Sequence, residues 1–290
     1  MEKLPVYGIT EFAERGNDFY ANDLVTHLES HQFVNHPHKH NTFISILFTK
    51  GKGEHQIDFN SYKVKTGSVF LLNPGQVHCW KLSEDARGFV FFHTREFYNS
   101  IYLNRKIEDF PFFYLSKNHP VIYLTPKELG YIEGLFNEIN NEFKSNFAHR
   151  DIKLGSLVDL VYLGLERLYE DGEEVLQNKN ANYLKVEKLQ KLIDENYKTE
   201  KQASDYADMM NMTTRHLSRI CQDTLDKSTS DLISERIILE AKRLLIHNDI
   251  SVSQVAEQLG YDDYSYFIRF FKKNVGMSPK EFHLEMRFSF

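Results

Sequence analysis

The sequence predicts an α+β protein: an N-terminal β-barrel or sandwich followed by two helices, then an all-α C-terminal region built on a repeated helix-turn-helix. Three observations predict it. Residues 36–93 carry short apolar, β-branched and aromatic runs punctuated by Gly and Pro. Beyond Pro126 the apolar spacing changes to that of helices. Residues 183–290 contain one helical pattern twice.

The strands are expected at 43–49, 54–59, 62–65, 68–72 and 88–93, with turns at Gly51-Lys52-Gly53 and Asn73-Pro74-Gly75. Strands this short, without helices between them, suit a sandwich or small barrel. Pro120 and Pro126 bracket the switch to helix. One helix is expected at 126–144 and a second at 151–169, where Leu154, Val158, Val161, Leu165 and Leu168 form a seam with heptad spacing. That seam admits two readings, a dimerisation helix or a helix packed on its own barrel. The polar stretch 171–182 is the expected linker, dividing the chain into residues 1–170 and 183–290.

In the C-terminal region, 203–220 and 252–270 follow the same order. A short helix carries a small residue (Ala207, Ala256), which lets a neighbouring helix approach closely. Four positions later stands a residue able to take positive φ (Asn211, Gly260), then an N-cap (Thr213, Asp263) and a second helix bearing Arg219 or Arg269. Ser251 and Gln254 have capping-box spacing. Residues 231–247 read as one connecting helix, and Ser278-Pro279 begins a last one. A helix that enters the major groove needs small or polar groups near its N-terminus. The first copy offers Arg215, Ser218 and Arg219, and the second offers Tyr264, Ser265, Ile268 and Arg269. Arginine can bond bidentately to a guanine edge, whereas Lys272 and Lys273 suit phosphates.

These residues resemble the double helix-turn-helix region of AraC/XylS-type transcriptional regulators. The second unit carries the likeness through Ser251-Val252-Ser253-Gln254-Val255-Ala256, Leu259-Gly260-Tyr261, the run Tyr266 to Lys273, and Gly276-Met277-Ser278-Pro279 before Phe282. The first unit matches through Ala207, Leu217-Ser218-Arg219 and Glu240-Ala241-Lys242-Arg243-Leu244-Leu245, and departs at Cys221 for the usual Phe and at Asn211 for the usual Gly. Residues 36–93 resemble the cupin-like sensor domain of the same family, through His36-Pro37-His38-Lys39-His40, Gly51-Lys52-Gly53, Ile57-Asp58-Phe59 and the run Gly67 to His78. The resemblance implies a cupin-like barrel that takes a small-molecule effector or supports a homodimer. It also implies double-stranded DNA as partner, base contacts at the seven positions above, and RNA polymerase as a further partner for an activator. The helices at 126–169 then stand where such regulators dimerise.

Three histidines suggest a rival, a metal-dependent cupin enzyme fused to a helical module. His38 and His40 alternate onto one strand face, and His78 is expected to close a nearby turn. Three imidazoles suit Zn, Fe, Ni or Cu. Such enzymes add a carboxylate shortly after the H-x-H pair, and Asn41-Thr42-Phe43-Ile44-Ser45 supplies none. The expectation is therefore satisfied pocket or surface histidines that mark an effector site, with no metal, no cofactor and no catalysis. Composition agrees with an ordinary globular chain: 290 residues, 41% hydrophobic, 26% charged and a net charge of −6. Residues 182–290 carry 16 basic and 17 acidic residues, so positive charge for DNA must be local. Two cysteines build no disulfide scaffold and there is no leader-like or membrane-spanning run, which together point to the cytoplasm.

Overall fold

A computed structural model of the chain describes residues 5–12, 18–31, 36–102, 106–107, 110–113, 119–171, 181–247 and 250–286. These fall in two compact units, one within residues 4–176 and one within 177–290. Most of the expected linker, 172–180, lies outside the described residues. Its first residue ends the helix Arg150–Asp171 and its last two begin the helix Ala181–Asn196.

The N-terminal unit holds two five-stranded sheets. One joins β1 (Val6–Tyr7), β3 (His38–His40), β8 (Val77–Leu82), β5 (Gly53–Ile57) and β6 (Asn60–Val64), in that spatial order. The other joins β10 (Val121–Tyr123), β7 (Ser68–Leu72), β4 (Phe43–Lys50), β9 (Arg87–His93) and β2 (Phe19–Asp23). Helices α1 (Leu24–Ser30), α2 (Arg95–Ile101), α3 (Pro126–Phe143) and α4 (Arg150–Asp171) complete the unit. The five expected strands are present. Outside those five ranges lie β1, β2, β3, β10 and β8, the last following at once from the turn where Gly75 takes φ +83. The hairpin from β5 to β6 closes at Ile57 and Asn60, because Asp58 takes φ +51, so β6 begins two residues before its expected start.

The second sheet is buried on both faces, and strand parity shows how. Ile44, Ile46, Phe48, Phe70, Leu72, Val90 and Phe92 join the core between the sheets. Their neighbours Phe43, Leu47, Val69, Leu71 and Phe91 join a second core with α3 and α4. Leu154, Val158, Val161 and Leu165 are 0% exposed in that second core, and Leu168 packs against it. The five-residue seam is therefore consumed inside its own unit, and the assignment of these side chains to a dimer contact is corrected. The large apolar side chains left exposed on the described part of the two helices are Tyr131, Ile152 and Leu160. A buried polar link ties α4 to the sheet: the Tyr162 hydroxyl lies 2.7 Å from His93 Nε2 and 3.2 Å from Ser45 Oγ.

The C-terminal unit is helical among its described residues: α5 (Ala181–Asn196), α6 (Ala203–Met209), α7 (Thr214–Leu225), α8 (Thr229–His247), α9 (Val252–Gln258), α10 (Tyr264–Val275) and α11 (Pro279–Met286). The connecting helix α8 is central and packs on all six others. Its buried Leu232, Ile233, Ile237, Ala241 and Leu245 supply the apolar stripe that the others cover.

Candidate functional site

The two helix-turn-helix units are closed by the same backbone device. After α6, Met212 N–H donates to the Ala207 carbonyl at 2.8 Å, and after α9, Tyr261 N–H donates to the Ala256 carbonyl at 2.9 Å. Both closures require one left-handed residue, which is Asn211 at φ +54 and Gly260 at φ +72. Asparagine tolerates that conformation through its short polar side chain, so the family departure at Asn211 leaves the turn intact. At Gly260 a Cβ would lie 1.9 Å from the Lys198 carbonyl oxygen, so only glycine fits. Lys201 Nζ then donates to the Gly260 carbonyl at 2.8 Å, holding this turn to the connection between α5 and α6. Cys221, the other departure, is fully buried with Sγ 3.5 Å from Thr229 Oγ1.

The second helix of each unit starts at its expected cap. Thr213 Oγ1 accepts from His216 N–H at 3.2 Å, and Asp263 Oδ1 accepts from Ser265 and Tyr266 N–H at 2.7 and 3.0 Å. α7 buries Leu217, Ile220 and Cys221, whereas α10 buries Phe267 and Phe271. This leaves Arg215 and Arg219 exposed on α7, and Tyr264, Ser265 and Arg269 exposed on α10, with Ile268 half-buried. Arg219 and Arg269 occupy the sixth position of their helices. Ser218 is the exception: it is half-buried and its hydroxyl lies 3.5 Å from Thr229 Oγ1, so it turns toward its own domain. Lys272 and Lys273 stand exposed in the last turn of α10, where the helix dipole favours cations.

In the N-terminal unit the structure brings His38, His40 and His78 together. His38 and His40 share one face of β3, and His78 sits directly opposite His38 in the antiparallel pair of β3 with β8. The expected turn position of His78 is corrected: it is a strand residue. Ring centroids are 4.8 Å apart for His38 and His40, 4.3 Å for His38 and His78, and 5.2 Å for His40 and His78. All three side chains are at most 2% exposed, inside a wall of Tyr7, Phe12, Trp80 and Phe92 rings. Of the expectation of satisfied pocket or surface histidines, surface placement fails, and satisfaction holds only at His38 Nδ1 and His78 Nδ1. Among the described residues no protein group bonds His38 Nε2, either nitrogen of His40, or His78 Nε2.

Burial holds the cluster neutral. It pushes the His38 pKa down to about 4 and those of His40 and His78 well below 6.5, with the neighbouring imidazoles adding to the shift at His40 and His78. Two further histidines escaped the sequence reading. His55 is fully buried on β5 with Nε2 3.0 Å from His78 Nδ1, and His27 on α1 has Nδ1 3.0 Å from the Tyr20 hydroxyl. For His55 the signal was parity, since it precedes inward-facing Ile57 by two residues.

A family model described as a helix-turn-helix domain matches residues 206–284, which span both units. A second, described as an AraC-like ligand binding domain, matches residues 24–95, which include the histidine cluster. The chain is an AraC-type regulator. Its relatives include the arabinose operon regulatory protein of Escherichia coli K12, 23% identical over 256 residues covering 86% of this chain and 83% of that one. The HTH-type transcriptional activator RhaR of an Enterobacter species is 20% identical over 292 residues, covering 94% and 96%. Among solved structures, ToxT from Vibrio cholerae aligns with a TM-score of 0.44 at 15% identity, over 92% of this chain and 98% of that one. This AraC-type regulator is thus a DNA-binding transcription regulator with an N-terminal ligand-binding domain. Among its described residues no helix is long and apolar enough to cross a membrane.

Proposed function

We propose that this regulator reads double-stranded DNA through α7 and α10 as a cytoplasmic homodimer, and that occupancy of its barrel interior governs that reading. Residues 1–170 are the sensing and dimerising part and 183–290 the DNA-binding part. Arg215, Arg219, Tyr264, Ser265, Ile268 and Arg269 meet base edges, with Ser218 at the margin of that face. Lys272 and Lys273 meet phosphates. The observation that carries this reading is the repeat itself: two units with the same turn closure, each exposing an arginine at the sixth position of a capped helix. Catalysis has no part in this reading, and RNA polymerase is a further partner where the site position permits activation.

The dimer rests on the outward faces of α3 and α4, where Tyr131 and Ile152 are 58% exposed and Leu160 is 45% exposed. Leu160→Glu is expected to leave a monomer by sedimentation. Gating is supported by β9. Phe92 touches the cluster at a ring distance of 5.0 Å from His40, and the next residue, His93, holds Tyr162 of α4 from the opposite face. One strand therefore touches the binding region and grips a dimer helix, so an occupant that favours one strand position favours one helix position.

Selection of a binding site from a random DNA pool, followed by titration of variants on it, tests the reading. Arg269→Ala is expected to lose about 1–3 kcal/mol on the selected site and to relax base preference at one position. Lys272→Ala is expected to weaken all sequences alike and to reduce the salt slope by about 1. Equal losses for both variants on every sequence would remove the base-reading role of Arg269.

A further inference from the structure

We propose that His38, His40 and His78 bind one divalent first-row transition-metal ion inside the barrel, and that this ion is the occupant to which the regulator responds. The second clause rests on the gating reading above; the binding itself does not.

The candidate ligand nitrogens of the three residues all lie within 4.8 Å of one another. A tetrahedral centre with nitrogen bonds of about 2.0–2.1 Å holds its ligands roughly 3.4 Å apart, so small side-chain rotations close the set on loading. Hydrogen bonding already selects the nitrogens. His38 Nδ1 donates to the His36 carbonyl at 2.7 Å, which fixes the proton there and leaves the Nε2 lone pair directed away from it. His78 Nδ1 lies 3.0 Å from His55 Nε2, and with Nδ1 as the donor its Nε2 lone pair is free for a metal. This is the arrangement in which a ligating histidine is oriented by a bond from its other nitrogen. Each buried ring nitrogen left without a partner costs about 1–3 kcal/mol, a penalty that coordination reverses. The donor set excludes calcium and magnesium, which require oxygen, and fits zinc, cobalt, nickel, copper or iron. With three protein donors, one position stays open for water or a small anion.

The test uses the full, untagged chain, stripped with chelator, dialysed and titrated with Zn(II) or Co(II). Wild type is expected to retain one equivalent after desalting and to give the tetrahedral d–d absorption of Co(II). His38→Gln and His78→Gln are expected to weaken binding by about 100-fold or more, whereas His119→Gln, altering an exposed histidine outside the cluster, leaves it unchanged. Fluorescence of Trp80, the single tryptophan, reports whether each variant is folded, and Zn(II) is expected to raise the thermal midpoint of wild type and His119→Gln but not of His38→Gln or His78→Gln. Wild type that holds no more metal than His38→Gln and shows no tetrahedral Co(II) bands overturns the site and leaves the gating reading standing. Stoichiometric metal with the same DNA affinity in loaded and stripped protein supports the site and overturns its role as effector. Metal-dependent DNA affinity that His78→Gln abolishes supports both.

Discussion

His27, His38, His40, His55, His78 and His93 are all at most 2% exposed in the N-terminal unit, whereas the arginines that mark α7 and α10 in the C-terminal unit stand in solvent. A neutral imidazole can be enclosed if its proton is given up, and what it retains is a lone pair. A guanidinium cannot give up its proton, so it is enclosed only beside a carboxylate, as Arg243 is beside Glu240, and otherwise stays outside, ready to meet phosphates and base edges. The two units therefore differ in which physical variable controls them. The N-terminal unit answers to proton and ligand activity, and the C-terminal unit answers to ionic strength.

The sharpest way to break this contrast is acid. An unfolded histidine takes its proton near pH 6.5. Burial lowers the folded pKa of His38 and His93 to about 4 and of His27 and His55 to about 3, and displaces His40 and His78 in the same direction. Between these limits the unfolded chain binds more protons, so stability is complete above pH 6.5 and declines as pH falls toward 4. Each histidine that stays neutral in the fold contributes a slope of up to about 1.4 kcal/mol per pH unit across that window. Trp80 emission is expected to red-shift between pH 6.5 and 4 while far-UV circular dichroism retains the helical signal of the C-terminal unit. Coincident loss of both signals would show that the units do not differ in this way.

A smaller effect compares the two turns of the repeat. Gly260→Ala adds a Cβ against the Lys198 carbonyl at positive φ and is expected to destabilise the C-terminal unit by about 2–4 kcal/mol. Asn211→Ala meets only the conformational cost, about 1 kcal/mol. Urea unfolding followed by circular dichroism separates them, and equal losses would mean that the close approach at Gly260 relaxes freely. Smaller again is Tyr162→Phe, which removes the hydroxyl shared by His93 and Ser45 and is expected to cost about 1–2 kcal/mol, read by Trp80 fluorescence.

The helical repeat was almost fully legible because its signals are local. Caps at Thr213, Ser251 and Asp263 and left-handed residues at Asn211 and Gly260 each act within a few residues, and all formed where the spacing placed them. The seam on α4 was legible as apolar but not as to its partner, since a heptad stripe fits a second helix and a barrel wall equally. The histidine cluster was half legible. Alternation placed His38 and His40 on one face, but the arrival of His78 and His55 depends on cross-strand register between distant segments, which no local pattern encodes. Side-chain exposure on α7 likewise depended on Thr229, eleven residues beyond Ser218.

One detail of the repeat extends beyond the chain. The connection from α6 to α7 and that from α9 to α10 differ by one residue, and the helices they deliver carry different side chains at every outward position but the sixth. A single protomer reading a duplex with both is therefore lopsided: its target runs from one word to another and has a head and a tail. Flipping that target end for end would turn the rest of the bound protein around with it, so genes on the two sides of one site need not receive the same instruction.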